Sequence, residues 1–289
     1  MMQIQRVGTI QHLWGESLRW DDRAMRLYFV DCAAQELQWL EEGAHEPHAL
    51  RMPSLPTGLV LTESGRVLVM LEDGAYLVDV ESGAVEKFAD NPGPPPEPRL
   101  NDAQADRSGN LVTGSLGFTD EPKGAFWWLS ARGEWAMLER GVCDANGPVF
   151  PSDGRTLLVV DTARKAIFRY AYDSERGSVG PRAIFVETTD LAGLHDGATL
   201  DTNGRYWSAM FGGSQVISVT ADGAIEHRIG LPVDYPTSLA FGGARRDRLY
   251  VASVSLEFGD VKPVAPAAGG LLEITGLGVT GELEPRFGV

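Results

Sequence analysis

Six times along its length the chain repeats one short pattern: a strand-length run rich in β-branched and aromatic residues, a tight loop, and a second such run. The paired runs are 26–31 with 36–40, 65–70 with 74–79, 109–114 with 124–129, 153–161 with 166–170, 203–208 with 214–219, and 248–252 with 270–274. Their alternation and brevity mark them as strands. The copies recur at about 40–50 residues, the period of propeller blades. One such unit cannot bury both of its faces alone, so the units must stack on one another. The expected fold is therefore all-β, a six-bladed β-propeller, as a single domain over residues 1–289. A further strand-like segment, Gln3 to Leu13, precedes the first copy and is expected to complete the last blade. No helix-period pattern of about 12 or more residues interrupts the series, which argues against a second domain.

Composition narrows the function. The chain holds 34 Gly and 17 Pro, in keeping with many turns, and carries a formal net charge of -15. Phosphate backbones and anionic membranes repel such a surface, so neither nucleic acid nor membrane is an expected partner. The excess carboxylates serve solubility or help to hold a cation. Cys32 and Cys143 are the two cysteines, which excludes a disulfide framework and any Cys/His zinc pattern. Cys143 lies three residues before Asn146, a position from which it would support a site there. The N-terminal segment lacks a signal-peptide h-region, and no stretch reaches the ~18 apolar residues of a membrane span. A cytoplasmic protein, monomeric or weakly self-associating, is expected. Gly276-Leu-Gly-Val-Thr-Gly281 matches GxGxxG, but no helical pattern follows it, so a dinucleotide site is not expected. His45-Glu-Pro-His48 is not HExxH, and GxSxG does not occur. The cluster Asn91-Pro-Gly-Pro-Pro-Pro-Glu-Pro98 reads as a stiff inter-blade loop leading into Arg99.

Four polar segments stand where strand patterns begin or end. They are Gly15-Glu16-Ser17, Arg99-Leu-Asn101-Asp102, Asn146-Gly147-Pro148 and His195-Asp196-Gly197. Taken singly, each reads as a turn. Taken together they recur at the blade spacing or a multiple of it, so a closed ring would bring them to one mouth. Two carboxylates and two amides are hard oxygen donors, suited to Ca²⁺, Mg²⁺, Mn²⁺, or to Zn²⁺ or Fe²⁺. Asp161 either lies near that mouth or caps a turn, as strand-end aspartates commonly do.

At these residues the chain resembles the SMP-30/gluconolactonase family, which includes regucalcin and bacterial sugar lactonases. The matching segments run in order over nearly the whole chain. They are Gly15-Glu-Ser-Leu-Arg-Trp20 with Leu27-Tyr-Phe-Val-Asp31, Arg99-Leu-Asn-Asp102, and Asn146-Gly-Pro-Val-Phe-Pro-Ser-Asp-Gly-Arg155 with Val160-Asp-Thr162. Asp196-Gly197 with Asp201, Leu231-Pro-Val233 and Pro236-Thr-Ser-Leu-Ala-Phe-Gly-Gly243 follow. The resemblance implies a six-bladed propeller with one divalent metal, held directly by Glu16, Asn146 and Asp196. It places Asn101 on the substrate side and makes Arg99 a hydrogen-bond donor to substrate oxygens. The implied reaction is hydrolysis of a sugar lactone to its aldonic acid, the metal acting as Lewis acid and Asp196 as the candidate catalytic group. A metal-dependent esterase or phosphotriesterase on the same fold, and a non-enzymatic Ca²⁺-binding propeller, are the alternatives. The chain departs from the family pattern in three places: His195 stands for a proline and is either a loop residue or a substrate or base contact; Ala103-Gln104 stand for Gly-Lys; and the segment from Gly114 to Glu121 differs.

Overall fold

The computed structural model describes residues 1–93, 99–116 and 122–289. The proline cluster falls partly, and the segment from Gly114 to Glu121 mostly, outside the described residues. Six antiparallel sheets make up the fold, the blades of a six-bladed β-propeller. The only helical element among the described residues is a single 3₁₀ turn, Thr162–Arg164, and no helix is long and apolar enough to cross a membrane.

The chain divides into two compact units. The first comprises residues 1–55 and 190–283 and holds three blades. Blade 1 is Gly15–Asp21, Arg26–Asp31, Glu36–Glu41 and His48–Arg51. Blade 5 is Leu194–Leu200, Tyr206–Phe211, Gln215–Val219 and Ile225–Gly230. Blade 6 is Pro236–Gly242, Arg248–Ser253 and Leu272–Thr275, completed by the N-terminal strand Gln3–Arg6, which pairs antiparallel with Leu272–Thr275 from Gln3↔Thr275 to Arg6↔Leu272. The N-terminal segment thus does what its sequence predicts, over four residues rather than eleven.

The second unit comprises residues 56–189 and 284–289. Blade 2 is Gly58–Leu61, Val67–Leu71, Gly74–Asp79 and Ala84–Asp90. Blade 3 is Leu100–Ala105, Leu111–Ser115, Gly124–Leu129 and Trp135–Val142. Blade 4 is Ala145–Val149, Thr156–Asp161, Ala166–Asp173, and the short edge strands Ser178–Val179 and Ala183–Glu187, both paired with the third.

Cores form between neighbouring blades because successive side chains of a strand face opposite ways. Leu111, Trp127 and Leu129 of blade 3 pack with Val60, Leu68 and Met70 of blade 2, together with Phe287. Their chain neighbours Val112, Phe126 and Trp128 pack instead with Phe150, Leu157 and Val159 of blade 4. Likewise Leu239 and Phe241 of blade 6 join Trp207 and Val216 of blade 5, while Ala240 joins Leu18 and Phe29 of blade 1. The first three strands of each blade are therefore mostly buried on both faces. The fourth strands, such as Ala84–Asp90, are largely exposed, which is why their pattern is weak in the sequence.

Candidate functional site

The predicted site segments share one local structure. In five blades the first strand carries a β-bulge, and the last paired residue before it is Glu16, Asn101, Asn146, His195 or Pro236. The first strand of blade 2 pairs without interruption. A bulge places an unpaired residue in the ladder, bends the strand and re-aims its side chains, a device common beside active sites. Ser17, Asp102 and Gly147, each directly after its site residue, adopt left-handed backbone with φ of 53°, 48° and 52°. For Ser17 and Asp102 this costs about 1–2 kcal/mol each, which the surroundings must offset.

Those surroundings are specific. Asp102 is buried; its Oδ1 accepts from its neighbour Ala103 N at 2.8 Å, and its Oδ2 accepts from Gly147 N of blade 4 at 3.0 Å. Its backbone N–H donates to Thr57 O at 3.0 Å, and its carbonyl accepts from Thr113 Oγ1 at 2.7 Å. Asp102 thereby fixes the bulges of blades 3 and 4 to each other. In the other unit, Leu18 N donates to Ser238 Oγ of blade 6 at 3.0 Å, and Thr237 Oγ1 donates to Gly15 O. Gly197 is needed for close approach: a Cβ there would stand 2.9 Å from Thr237 O. The glycine of Asp196-Gly197 is thus explained by the packing of blade 5 on blade 6.

Within the second unit the two amides meet directly. Asn101 Nδ2 donates to Asn146 Oδ1 at 2.6 Å and to Ala145 O at 3.1 Å. Asn146 Nδ2 donates to Thr162 Oγ1 at 2.9 Å. The Asn146 amide is therefore pinned at both ends, with one lone pair of Oδ1 left for a cation. Arg99 lies half-buried one residue before the first strand of blade 3.

Within the first unit, Glu16 is half-buried and its Oε1 accepts from Trp14 Nε1 at 3.1 Å. Asp196 is buried at 9% exposure. His195 is fully buried, and its Nδ1 bonds Ser208 Oγ, also fully buried, at 2.9 Å. By register, His195 and not Asp196 occupies the position held by Glu16, Asn101 and Asn146 in their blades. The histidine is built into the bulge rather than carried on a free loop.

Asp161 takes the turn-capping role. It is buried, accepts from Cys143 N at 3.3 Å and Asp144 N at 3.5 Å, and pairs with Arg164 Nε at 3.1 Å. Burial raises its pKa. Asp31 caps a turn in blade 1 through hydrogen bonds of the same kind, accepting from Leu13 N at 2.8 Å, Trp14 N at 3.1 Å and Ala34 N at 3.1 Å. Cys143 is buried with a free thiol whose pKa is raised by burial and then by Asp161. That keeps it protonated and unreactive. Its part is to donate its backbone N–H to Asp161.

Sequence reasoning missed Trp14 and Asp102. Trp14 stands two residues before Glu16, the spacing that puts two strand residues on one face. Asp102 was visible as an Asn-Asp pair, residues that tolerate left-handed backbone. Among the described residues no three His, Cys, Asp or Glu side chains converge as a metal cluster. The expected ligand set has only two carboxylates, Glu16 and Asp196, and an amide supplies the third donor.

His12 gives this region an acid sensitivity. It is buried with its ring edge-on to Phe29 at 5.0 Å. Burial lowers its pKa to about 4, with Asp31 raising it and Arg6 lowering it. Below an ordinary pKa of 6.5 the unfolded imidazole binds a proton that the folded one refuses, so folding stability falls as pH drops from 6.5 toward 4. The loss is at most about 3 kcal/mol from this group. His12→Leu should flatten the dependence over that window, read as urea midpoints from pH 7 to pH 4.5. Parallel curves for the two proteins would remove His12 as the cause.

Residues 14–255 match the family model described as SMP-30/Gluconolactonase/LRE-like region. The chain is 32% identical over 256 residues to pentonolactonase XacC of Haloferax volcanii, covering 87% of this chain and 85% of that protein. It is 32% identical to a 6-deoxy-6-sulfogluconolactonase of Pseudomonas putida, covering 94% of each. The crystal structure of a protein described as a calcium-binding regucalcin from Agrobacterium tumefaciens superposes with a TM-score of 0.91 at 24% identity, covering 100% of this chain and 98% of that one.

Proposed function

The chain belongs to the SMP-30/gluconolactonase/LRE-like family, and on that premise we propose that it is a lactonase that opens a sugar lactone to the corresponding aldonic acid. The family match over residues 14–255 carries this reading, because it spans Glu16, Arg99, Asn101, Asn146 and Asp196 in order. Two relatives, one named for pentonolactones and one for a sulfogluconolactone, support a sugar-derived substrate.

The donors fit a hard divalent cation. Glu16 and Asp196 supply carboxylates, and Asn146 supplies an amide oxygen already oriented by Asn101. Those three residues would hold it. Such a cation, when bound, acts as a Lewis acid on the lactone carbonyl and stabilises the charge that develops on its oxygen.

The chain's own groups carry the remaining steps. Asp196 orients a water and takes its proton as the water oxygen bonds to the carbonyl carbon. The ring C–O bond then breaks, and the released ring oxygen leaves as a hydroxyl carrying that proton. Arg99 and Asn101 hold substrate hydroxyls, and His195, fully buried and fixed through Nδ1 to Ser208, positions the bulge that carries Asp196 rather than touching substrate.

A panel of pentono- and hexonolactones, followed by proton release with and without chelator, tests the reading. Turnover on at least one aldonolactone is expected, falling at least about 100-fold on chelation and returning with added divalent metal. Absence of chelator-sensitive turnover on every aldonolactone would overturn it. Hydrolysis of aryl esters alone would move the assignment to an esterase.

A further inference from the structure

Four aromatic rings stand in a row at the end of blades 1, 5 and 6 that carries Glu16 and His195. Trp14 stacks on Phe211 with centroids 5.9 Å apart and meets Phe258 edge-on at 6.5 Å. Phe211 in turn packs on Tyr235 at 4.9 Å. Each ring sits where the topology brings it to this end. Trp14 directly precedes the first strand of blade 1, and Tyr235 that of blade 6. Phe211 closes the second strand of blade 5, paired with Leu194 beside His195. Phe258 lies on the long loop between the second and third strands of blade 6.

That loop is tied down over its length. Asp234 Oδ2 accepts from Val264 N at 2.7 Å and Ala265 N at 2.6 Å. Tyr235 Oη accepts from Lys262 N at 3.1 Å, and Leu13 O accepts from Ser255 N and Leu256 N. Yet the loop and its neighbour present hydrocarbon outward: Phe258 is 67% exposed and Leu13 42%. Trp14, Phe211 and Tyr235 are half-buried. Apolar groups held outward beside a polar centre mark a binding surface.

The row is chemically one-sided. Trp14 spends its N–H on Glu16, so its remaining surface is hydrocarbon, like that of Phe211 and Phe258. A substrate hydroxyl against Trp14, Phe211 or Phe258 would lose its water without gaining a partner; the hydroxyl of Tyr235, at the end of the row, is engaged by Lys262 N. We propose that this row is the specificity wall of the site, and that the preferred lactone turns an apolar edge toward it: an alkyl substituent or a deoxygenated carbon rather than a hydroxylated one. This rests on the lactonase reading and narrows its substrate class. The hydrogen bond from Trp14 to Glu16 sets the wall beside a residue proposed to hold the cation, so the molecule that meets the wall is the lactone bound there.

The experiment compares two lactones of equal ring size, one fully hydroxylated and one bearing an alkyl chain in place of the hydroxyls. The wild-type protein is set against Phe258→Ser, a change at a largely exposed ring that the fold tolerates. The expected result is a fall of about 10-fold in the ratio of kcat/KM for alkyl over hydroxylated lactone, through a raised KM for the alkyl compound. An unchanged ratio overturns the wall. So does an unchanged ratio accompanied by a shift in sedimentation coefficient, which would assign the row to self-association. If wild-type protein opens neither these lactones nor any aldonolactone of the panel, the lactonase reading falls. The wall is then judged alone by calorimetric binding of the two corresponding lactams, where preference for the alkyl lactam that Phe258→Ser abolishes upholds it, and equal binding overturns it.

Discussion

Asp196→Asn is expected to cut lactone turnover by about 10²–10⁴-fold with the fold intact. Asparagine matches aspartate in shape and keeps one oxygen donor, so the buried position beside Gly197 stays filled. What it loses is the negative charge and the ability to accept a proton. If Asp196 both binds the cation and activates water, the variant loses turnover by either route, and metal content separates them. Retained metal with lost turnover assigns the base role. Lost metal with turnover restored at high divalent concentration assigns a ligand role alone. Near-normal turnover with full metal occupancy would sink the base role outright. A carboxylate beside a cation is a weaker base than a free one, which makes this distinction worth measuring.

The strands of the blades were legible because burial on both faces demands long apolar and aromatic runs, and those survive in any single copy. Arg26–Asp31 and Gly74–Asp79 are read residue for residue. The exposed fourth strands were not, since Ala84–Asp90 and Ala183–Glu187 are held by pairing to one neighbour and not by an apolar pattern. The site residues were legible through their neighbours: Asn-Asp and Asn-Gly mark left-handed bulge positions, and Asp-Gly marks a close blade contact. The supports that come from other blades were not legible. Nothing local to Asp102 announces that its carboxylate receives Gly147 N, 45 residues on. Nothing local to Trp14 announces the stack on Phe211.

Trp207→Ala is expected to destabilise the protein by about 3–5 kcal/mol, the range for removing a buried aromatic ring. Trp207 is fully buried in the core between blades 5 and 6. Phe241 meets its ring edge-on at 5.7 Å, and His227 lies stacked on it at 5.3 Å. Its Nε1 donates to Asp201 Oδ2 at 3.0 Å, while Asp201 Oδ1 accepts from Asn203 N at 2.9 Å and Arg205 N at 3.1 Å to close the turn. Alanine leaves both a cavity and a fully buried carboxylate oxygen short of one donor. Trp207→Phe separates the two effects, because it keeps most of the ring and drops the hydrogen bond, which costs about 1.5–3 kcal/mol for a charged acceptor. Urea midpoints at constant slope give the comparison. If alanine costs no more than phenylalanine, the Asp201 bond rather than the packing carries the position. The next residue, Ser208, holds His195 at 2.9 Å, so loosening this strand reaches the proposed site. The alanine variant should therefore lose activity at denaturant concentrations where its global fold is still intact, and the phenylalanine variant should not.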